Sequence, residues 1–267
     1  MTTRRNFVKL ATATGLICVA SPIRALTRLN IGVGTFSYHN LSIDDMITQL
    51  VALRIREIEM SRGEFMLLSH PQAELFRATR VRLDRAGIRC VSYYAATIKD
   101  AGDIADAIRF AKLLGSTNIT GDGTETVLKQ IDQRLSKEGL TFGLHNHFFP
   151  NITFAYQSPE EVLRAISGLS KTMGATADTG QFASCGYDPA EAIRRLAPRL
   201  RMVHLKDVKA KGSDVNVLLG DGIARIPAVM QELHQQNFAD LVAVEYEKEG
   251  AVGQDMAKEI AYARRLA

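Results

Sequence analysis

Eight short β-rich runs, separated by stretches of helical periodicity, constrain this chain more than any other feature. The runs are LNIGVGTF (29–36), REIEMS (56–61), IRCVSYYA (88–95), STNITG (116–121), LTFGLHNH (140–147), GATADT (174–179), RMVHLKD (201–207) and LVAVEYE (241–247). Helix-start signals fall between them. Ser42 precedes IDDMITQLVAL, His70-Pro71 opens a segment that closes on Gly87, and Asp103 precedes IADAIRFAKLLG, which closes on Gly115. Ser158-Pro159 and Asp188-Pro189 open two more. Polar caps at the start and glycine at the end are the expected punctuation of helices. Strands alternating with helices predict parallel βαβ units. Eight such units predict an α/β fold, a closed (β/α)8 TIM barrel forming one domain, and 267 residues suit it. An open doubly wound sheet would favour a glycine-rich phosphate turn after the first strand, and Gly32-Val33-Gly34-Thr35 is not one.

The amino terminus stands apart from this pattern. Arg4-Arg5, Phe7 and Lys9 precede a mild apolar stretch, ATATGLICVA (11–20), too short to span a bilayer, which needs roughly 20 residues. A basic start, an apolar segment and small residues after it predict a signal peptide over 1–25, of twin-arginine type, leaving a barrel over 26–267. The expectation is therefore export to the periplasm, with no membrane attachment after cleavage. The whole chain carries 33 basic and 29 acidic residues. Four of the basic ones, Arg4, Arg5, Lys9 and Arg24, lie before Leu26, where no acidic residue occurs. The mature chain is formally neutral, which argues against a nucleic-acid partner. It keeps Cys90 and Cys185, too few for a disulfide framework.

In a barrel of this kind the active site lies at the carboxyl ends of the strands. Strand five ends in His145 and His147, strand six carries Asp178, strand seven His204 and Lys206, and strand eight Glu245 and Glu247. Side chains alternate along a strand. With Phe142, Leu144, Ala175, Ala177, Val203, Leu205, Val242 and Val244 facing the helices, His145, Asp178, His204 and Glu245 face the axis. Two imidazoles and two carboxylates on four consecutive strands form a ligand set for one divalent ion (Mn, Zn, Co or Fe), whose charge they balance. His39, His70 and His234 fit no such pattern.

The pieces ATADTGQ (175–181), MVHLKDV (202–208), LLGDGIARIP (218–227) and VAVEYE (242–247) resemble the xylose isomerase-like TIM barrels, the sugar isomerase/epimerase superfamily. The resemblance spans the chain from Leu29 onward. It implies one metal held by strands five to eight, and Asp178, His204 and Glu245 match that set. The family's strand-five glutamate is replaced by His145, as in an HNH-type branch, and the usual histidine after the strand-six aspartate is replaced by Gln181. The implied activity is a metal-dependent isomerase or epimerase working through an enediolate on an unphosphorylated sugar or keto-sugar. Glu245 is then the base, with His147 and Lys206 as further catalytic residues. A lyase or dehydratase of 3-keto-glycoside or inosose type uses the same proton abstraction. Glu59 resembles a substrate-contact glutamate of the family, and Gln181 and Phe36 are expected at the substrate. An endonuclease IV-like nuclease would need more ligands and a basic face, and a catalytically idle sugar-binding barrel is a third reading. The expected partner is a small carbohydrate, with a homo-oligomer left open.

Overall fold

The structure, a computed structural model, describes residues 28–67, 73–248 and 252–267. The expected signal segment and the His70-Pro71 helix start lie outside these. Eight parallel strands form the closed barrel: β1 (Asn30–Gly34), β2 (Glu57–Met60), β3 (Arg89–Thr97), β4 (Asn118–Asp122), β5 (Thr141–His145), β6 (Met173–Asp178), β7 (Leu200–Leu205) and β10 (Leu241–Val244). The eight expected runs are these eight strands, several of them trimmed at one or both ends. A two-stranded antiparallel hairpin, β8 (Asp207–Val208) and β9 (Asn216–Val217), rises beyond β7. It carried no pattern legible in the sequence.

The helices form the outer layer. Ser42 caps α1 (Ile43–Ala52) by accepting from the Asp45 N–H. The α2 helix (Ala73–Arg85) ends before Gly87, which adopts φ +69°. The cap of α3 (Ala101–Leu114) is Asp100, three residues before the expected Asp103, because Asp100 accepts from the amides of Gly102 and Asp103. Asp103 instead accepts from the Lys99 N–H. Ser158 and Glu161 form a reciprocal capping box on α5 (Pro159–Ile166), and Asp188 caps α7 (Pro189–Leu196). Four helices went unread in the sequence: α4 (Glu125–Leu135), α6 (Thr179–Cys185), α8 (Ile226–Gln235) and α9 (Val252–Leu266). Among the described residues no helix is long and apolar enough to cross a membrane.

The core lies between barrel and helices. Phe142, Leu144, Val203, Leu205, Val242 and Val244 are fully buried there, as strand parity requires. The barrel axis is different. Ser92 donates to Glu59, and hydroxyl contacts of 3.2 and 3.1 Å then link Ser92 to Thr120 and Thr120 to Thr176. Barrel interiors are usually filled by Val, Ile and Leu. Here polar side chains replace them, each tied to a neighbour as buried polar groups must be. Gly143 makes room for this ring, since a Cβ there would fall 2.1 Å from the Thr176 hydroxyl.

Glu259 on α9 is buried beneath the loop after β9, where it accepts from the Leu219 N–H. Burial, aided by Asp207, pushes its carboxyl up to about 8 despite that hydrogen bond. The folded chain therefore keeps this proton while the unfolded chain loses it at an ordinary carboxylate pKa, about 4.3. Stability should fall as pH rises from there to about 8 and then level off. Glu259→Gln keeps the acceptor and removes the ionisation. Its melting temperature relative to the parent should climb between pH 5 and pH 8.5. A difference independent of pH, measured by thermal denaturation, would contradict this account.

Candidate metal centre

The tripeptide His145-Asn146-His147 shows how one strand end builds a site. Asn146 points away from the axis and acts as a backbone mimic for β6: its amide donates to the Asp178 carbonyl, and its side-chain oxygen accepts from the Asp178 N–H. This prolongs the β5–β6 pairing past its last register, His145 opposite Thr176. Strand five thereby supports Asp178 from the side while its own histidines turn inward.

Asp178 divides its carboxylate. One oxygen, Oδ1, caps α6 by accepting from the Gln181 N–H at 2.9 Å. The other, Oδ2, is buried and ion-paired with the Lys206 ammonium at 3.1 Å. It lies 3.8 Å from both His145 Nε2 and His204 Nδ1, which are 3.0 Å from each other. A tetrahedral ion with bonds of about 2.0–2.1 Å spaces its ligands by about 3.3 Å, so these three atoms have the separations of a ligand set. Oδ2 therefore faces both imidazoles and the Lys206 ammonium at once. The cluster His145, Asp178 and His204 could hold a metal ion.

Glu245 stands further out. Its Oε2 is 3.4 Å from His204 Nδ1 and outside the compact cluster, and it lies 3.0 Å from the Lys206 ammonium. The sequence grouped all four as one ligand set; neighbouring strands are staggered, and His145 is itself opposite Thr176, two residues before Asp178. Asp178 pairs with His204, but His204 pairs with Ala243, two residues below Glu245. Lys206 is buried with its ammonium 3.1 Å from Asp178, 3.0 Å from Glu245 and 2.6 Å from Glu247. Burial opposes that charge, but the three carboxylates outweigh it and hold the ammonium well above its ordinary pKa. Burial also opposes a charged His204, yet Glu245 and Glu59 raise it to about 9. Burial, with His147, His204 and Lys206 nearby, lowers His145 far below the usual imidazole range. It therefore presents a neutral nitrogen, as a metal ligand must. Burial raises the Glu245 carboxyl against the pull of Lys206 and His204.

Glu59 requires correction. Expected at the substrate, it is fully buried, with Oε2 2.6 Å from His204 Nε2. It orients the imidazole so that Nδ1 faces the cluster, the role of an outer carboxylate at a histidine ligand. His147 does not join the compact cluster; its Nε2 lies 2.9 Å from Asp122 Oδ2, and its ring stacks on Phe154. Asp122, at the end of β4, was missed because the expected run stopped at Gly121. Gln181 and Phe36 do reach the site, lining with His147, Tyr94, Lys206 and Glu245 a cavity of about 210 Å³. Tyr93 turns the other way and donates to the Phe65 carbonyl within the core. Asp207 of the HLKD run points out of the site and accepts from the amides of Val208, Gly220, Gly222 and Ala224. That explains the G-x-G run downstream: a Cβ at 222 would fall 2.2 Å from Asp207. A cavity of about 440 Å³ at the opposite barrel end, lined by Asn30, Glu57 and Arg201, holds none of this chemistry.

The comparisons agree with this fold. A family model for the xylose isomerase-like TIM barrel matches residues 97–266, more than half of the chain. The rhizopine catabolism protein MocC of Rhizobium meliloti is 25% identical over 138 residues, 46% of this chain and 41% of that protein. The matched stretch thus spans less than half of that curated relative. Among solved structures, the IolI protein with a bound zinc atom superposes with TM-score 0.72 at 15% identity, covering 89% of this chain and 96% of that one. A D-tagatose 3-epimerase-like protein gives 0.70 at 17%, covering 88% and 97%. The probable 3-DHS dehydratase AsbF from Bacillus anthracis gives 0.70 at 12%, covering 87% and 97%.

Gly180 lets the Lys206 stem pass, since a Cβ there would fall 2.8 Å from Lys206 Cγ. The stem cannot swing aside, because three carboxylates hold its end. Gly180→Ala should destabilise by about 1–3 kcal/mol from overpacking, more than the roughly 1 kcal/mol gained in helix propensity. A denaturation midpoint at or above the parent's would show that the lysine is not so confined.

Proposed function

Since the chain belongs to the xylose isomerase-like TIM barrel family, we propose that it is a metal-dependent isomerase or epimerase of an unphosphorylated sugar or keto-sugar. The observation that carries this reading is the buried Asp178 carboxylate facing two imidazole nitrogens, with both imidazoles, Glu245 and Lys206 lining one cavity. The zinc of the IolI neighbour and the epimerase and dehydratase among the structural neighbours support it.

His145, Asp178 and His204 would hold the ion, with Glu245 completing the set. A bound divalent ion would supply Lewis-acid polarisation of a substrate carbonyl or hydroxyl, making the neighbouring C–H acidic. Glu245 removes that proton. The Lys206 ammonium, 3.0 Å from Glu245, stabilises negative charge developing on the substrate oxygen. His147, oriented by Asp122, moves a proton between substrate oxygens. Reprotonation at carbon from the resulting enediolate gives an isomer or epimer. Loss of a β-substituent gives elimination, a second reading that the dehydratase neighbour favours.

Both readings share the abstraction step, so solvent exchange tests them together. The protein loaded in turn with Mn²⁺, Zn²⁺, Co²⁺ or Fe²⁺ is incubated with a panel of keto-sugars in D₂O. Deuterium should appear at the carbon next to the carbonyl, and Glu245→Gln should slow this by about 10²–10⁴-fold. His145→Ala should come out metal-poor, with a lower melting temperature that added metal partly restores. His147→Ala should keep its metal and lose most exchange. If both histidine variants retain full metal content, strand five supplies no ligand.

We further propose that residues 1–25 direct export by the twin-arginine route and are then removed, which supports the choice of an unphosphorylated substrate because sugar phosphates are mainly cytoplasmic. Replacing Arg4 and Arg5 by lysine should abolish periplasmic accumulation on cell fractionation. Unchanged periplasmic yield would reject this route.

A further inference from the structure

A second and wider cavity, of about 690 Å³, adjoins the inner one. The two share Phe149, Gln181, Lys206 and Glu247 as walls, so they are neighbouring compartments of one barrel mouth. The inner compartment holds the ligand-type side chains. The outer one runs along the β8–β9 hairpin and has a different chemistry.

Phe149 and Val215 on its walls are 48% and 52% exposed. Exposed apolar residues scattered singly need no explanation. These two come from separate loops and line the same cavity beside the candidate metal centre, which gives that cavity apolar walls. The charges there balance. Lys206 pairs with Glu247 at 2.6 Å, and Lys209 and Lys248 are matched by Asp214 and Asp221. Such a wall offers no net attraction to an ionic group. The inner cavity, about 210 Å³, is below the roughly 300–1,000 Å³ of pockets that take drug-sized molecules. It suits one small ring, and a larger substrate must extend into the outer compartment.

Resting on the sugar reading of the inner cavity, we propose that the substrate is a conjugate. The sugar ring occupies the inner compartment, and a neutral group with an apolar face, such as an aryl aglycone, lies in the outer one against Phe149 and Val215. The hairpin, an insertion between β7 and α8, is then the element that selects the non-sugar part.

The test measures affinities of the Mn²⁺-loaded protein for a panel of 3-keto-hexoses, each as the free sugar and as its 4-nitrophenyl glycoside, by titration calorimetry. For at least one pair the glycoside should bind about tenfold more tightly. Val215→Glu, at an exposed position, should lower that ratio at least fivefold, and Val215→Ala should lower it about two- to threefold. Circular dichroism checks each variant's fold, and the alanine variant carries the comparison if the glutamate variant misfolds. If a free sugar binds and its glycoside binds no better, the conjugate is wrong and the sugar reading stands. If the advantage survives the Val215 substitutions, the non-sugar group lies elsewhere and the proposal is overturned. If neither member of any pair binds, the sugar reading falls and takes this inference with it.

Discussion

The structure turns on a concentration of buried charge at one end of the barrel. Asp178, Glu245 and Glu59 are each 6% exposed or less, and the cations facing them are Lys206 and, when protonated, His204. Taking a carboxylate out of water costs several kcal/mol unless partners repay it. The fold supplies those partners one by one: an α6 amide for one Asp178 oxygen, Ser92 and His204 for Glu59, and the Lys206 ammonium for Glu245. The same ammonium lies 3.1 Å from the other Asp178 oxygen, and Glu245 and Glu59 push the His204 imidazole up to about 9 in spite of its burial. Three buried carboxylates against one ammonium and one imidazole leave the site short of positive charge, the electrostatic condition for holding a divalent cation.

Much of the surrounding architecture serves that concentration. The polar ring of Ser92, Thr120 and Thr176 gives Glu59 a floor it can hydrogen-bond. Asn146 locks β5 to β6 beside Asp178. Thr179 accepts from the Lys206 N–H, which fixes the backbone of β7 where the lysine leaves it. Asp207 gathers four amides and holds the loop that follows, away from the metal cluster. The HLKD run therefore has three tasks within four residues: His204 faces the cluster, Lys206 neutralises carboxylates, and Asp207 anchors a loop. Family motifs of this density record structure as much as chemistry.

The barrel was legible because its signal is periodic and repeated. Eight apolar runs with caps between them leave few alternatives, and parity then decides which residues face the axis. His145, Asp178, His204 and Lys206 followed from that parity and from the family resemblance. The misreadings have local causes. Asp100 and Asp103 are both good cap residues three positions apart, and only the backbone turn selects between them. Glu59 was expected at the substrate, but the sequence does not report which neighbours bury it, and the Ser92 hydroxyl and the His204 imidazole occupy its carboxylate. Asp122 was lost to a run ended one residue early. Hairpin β8–β9 has two residues per strand, too few for any alternation to show.

The sequence by itself determined the eightfold alternation, the inward parity and the types of side chain gathered at the strand ends, because these depend on periods of 2 and 3.6 residues that the chain carries locally. Only the tertiary structure decided the height of each side chain along the axis. Barrel closure staggers neighbouring strands, and a β-bulge between Ile58 and Glu59 adds a further shift. Side-chain reach across that stagger brings His145, Asp178 and His204 together, sets Glu245 beside Lys206 and joins Glu59 to His204 Nε2. Stagger arises from hydrogen bonding between strands far apart in sequence, so no local pattern in the chain encodes it.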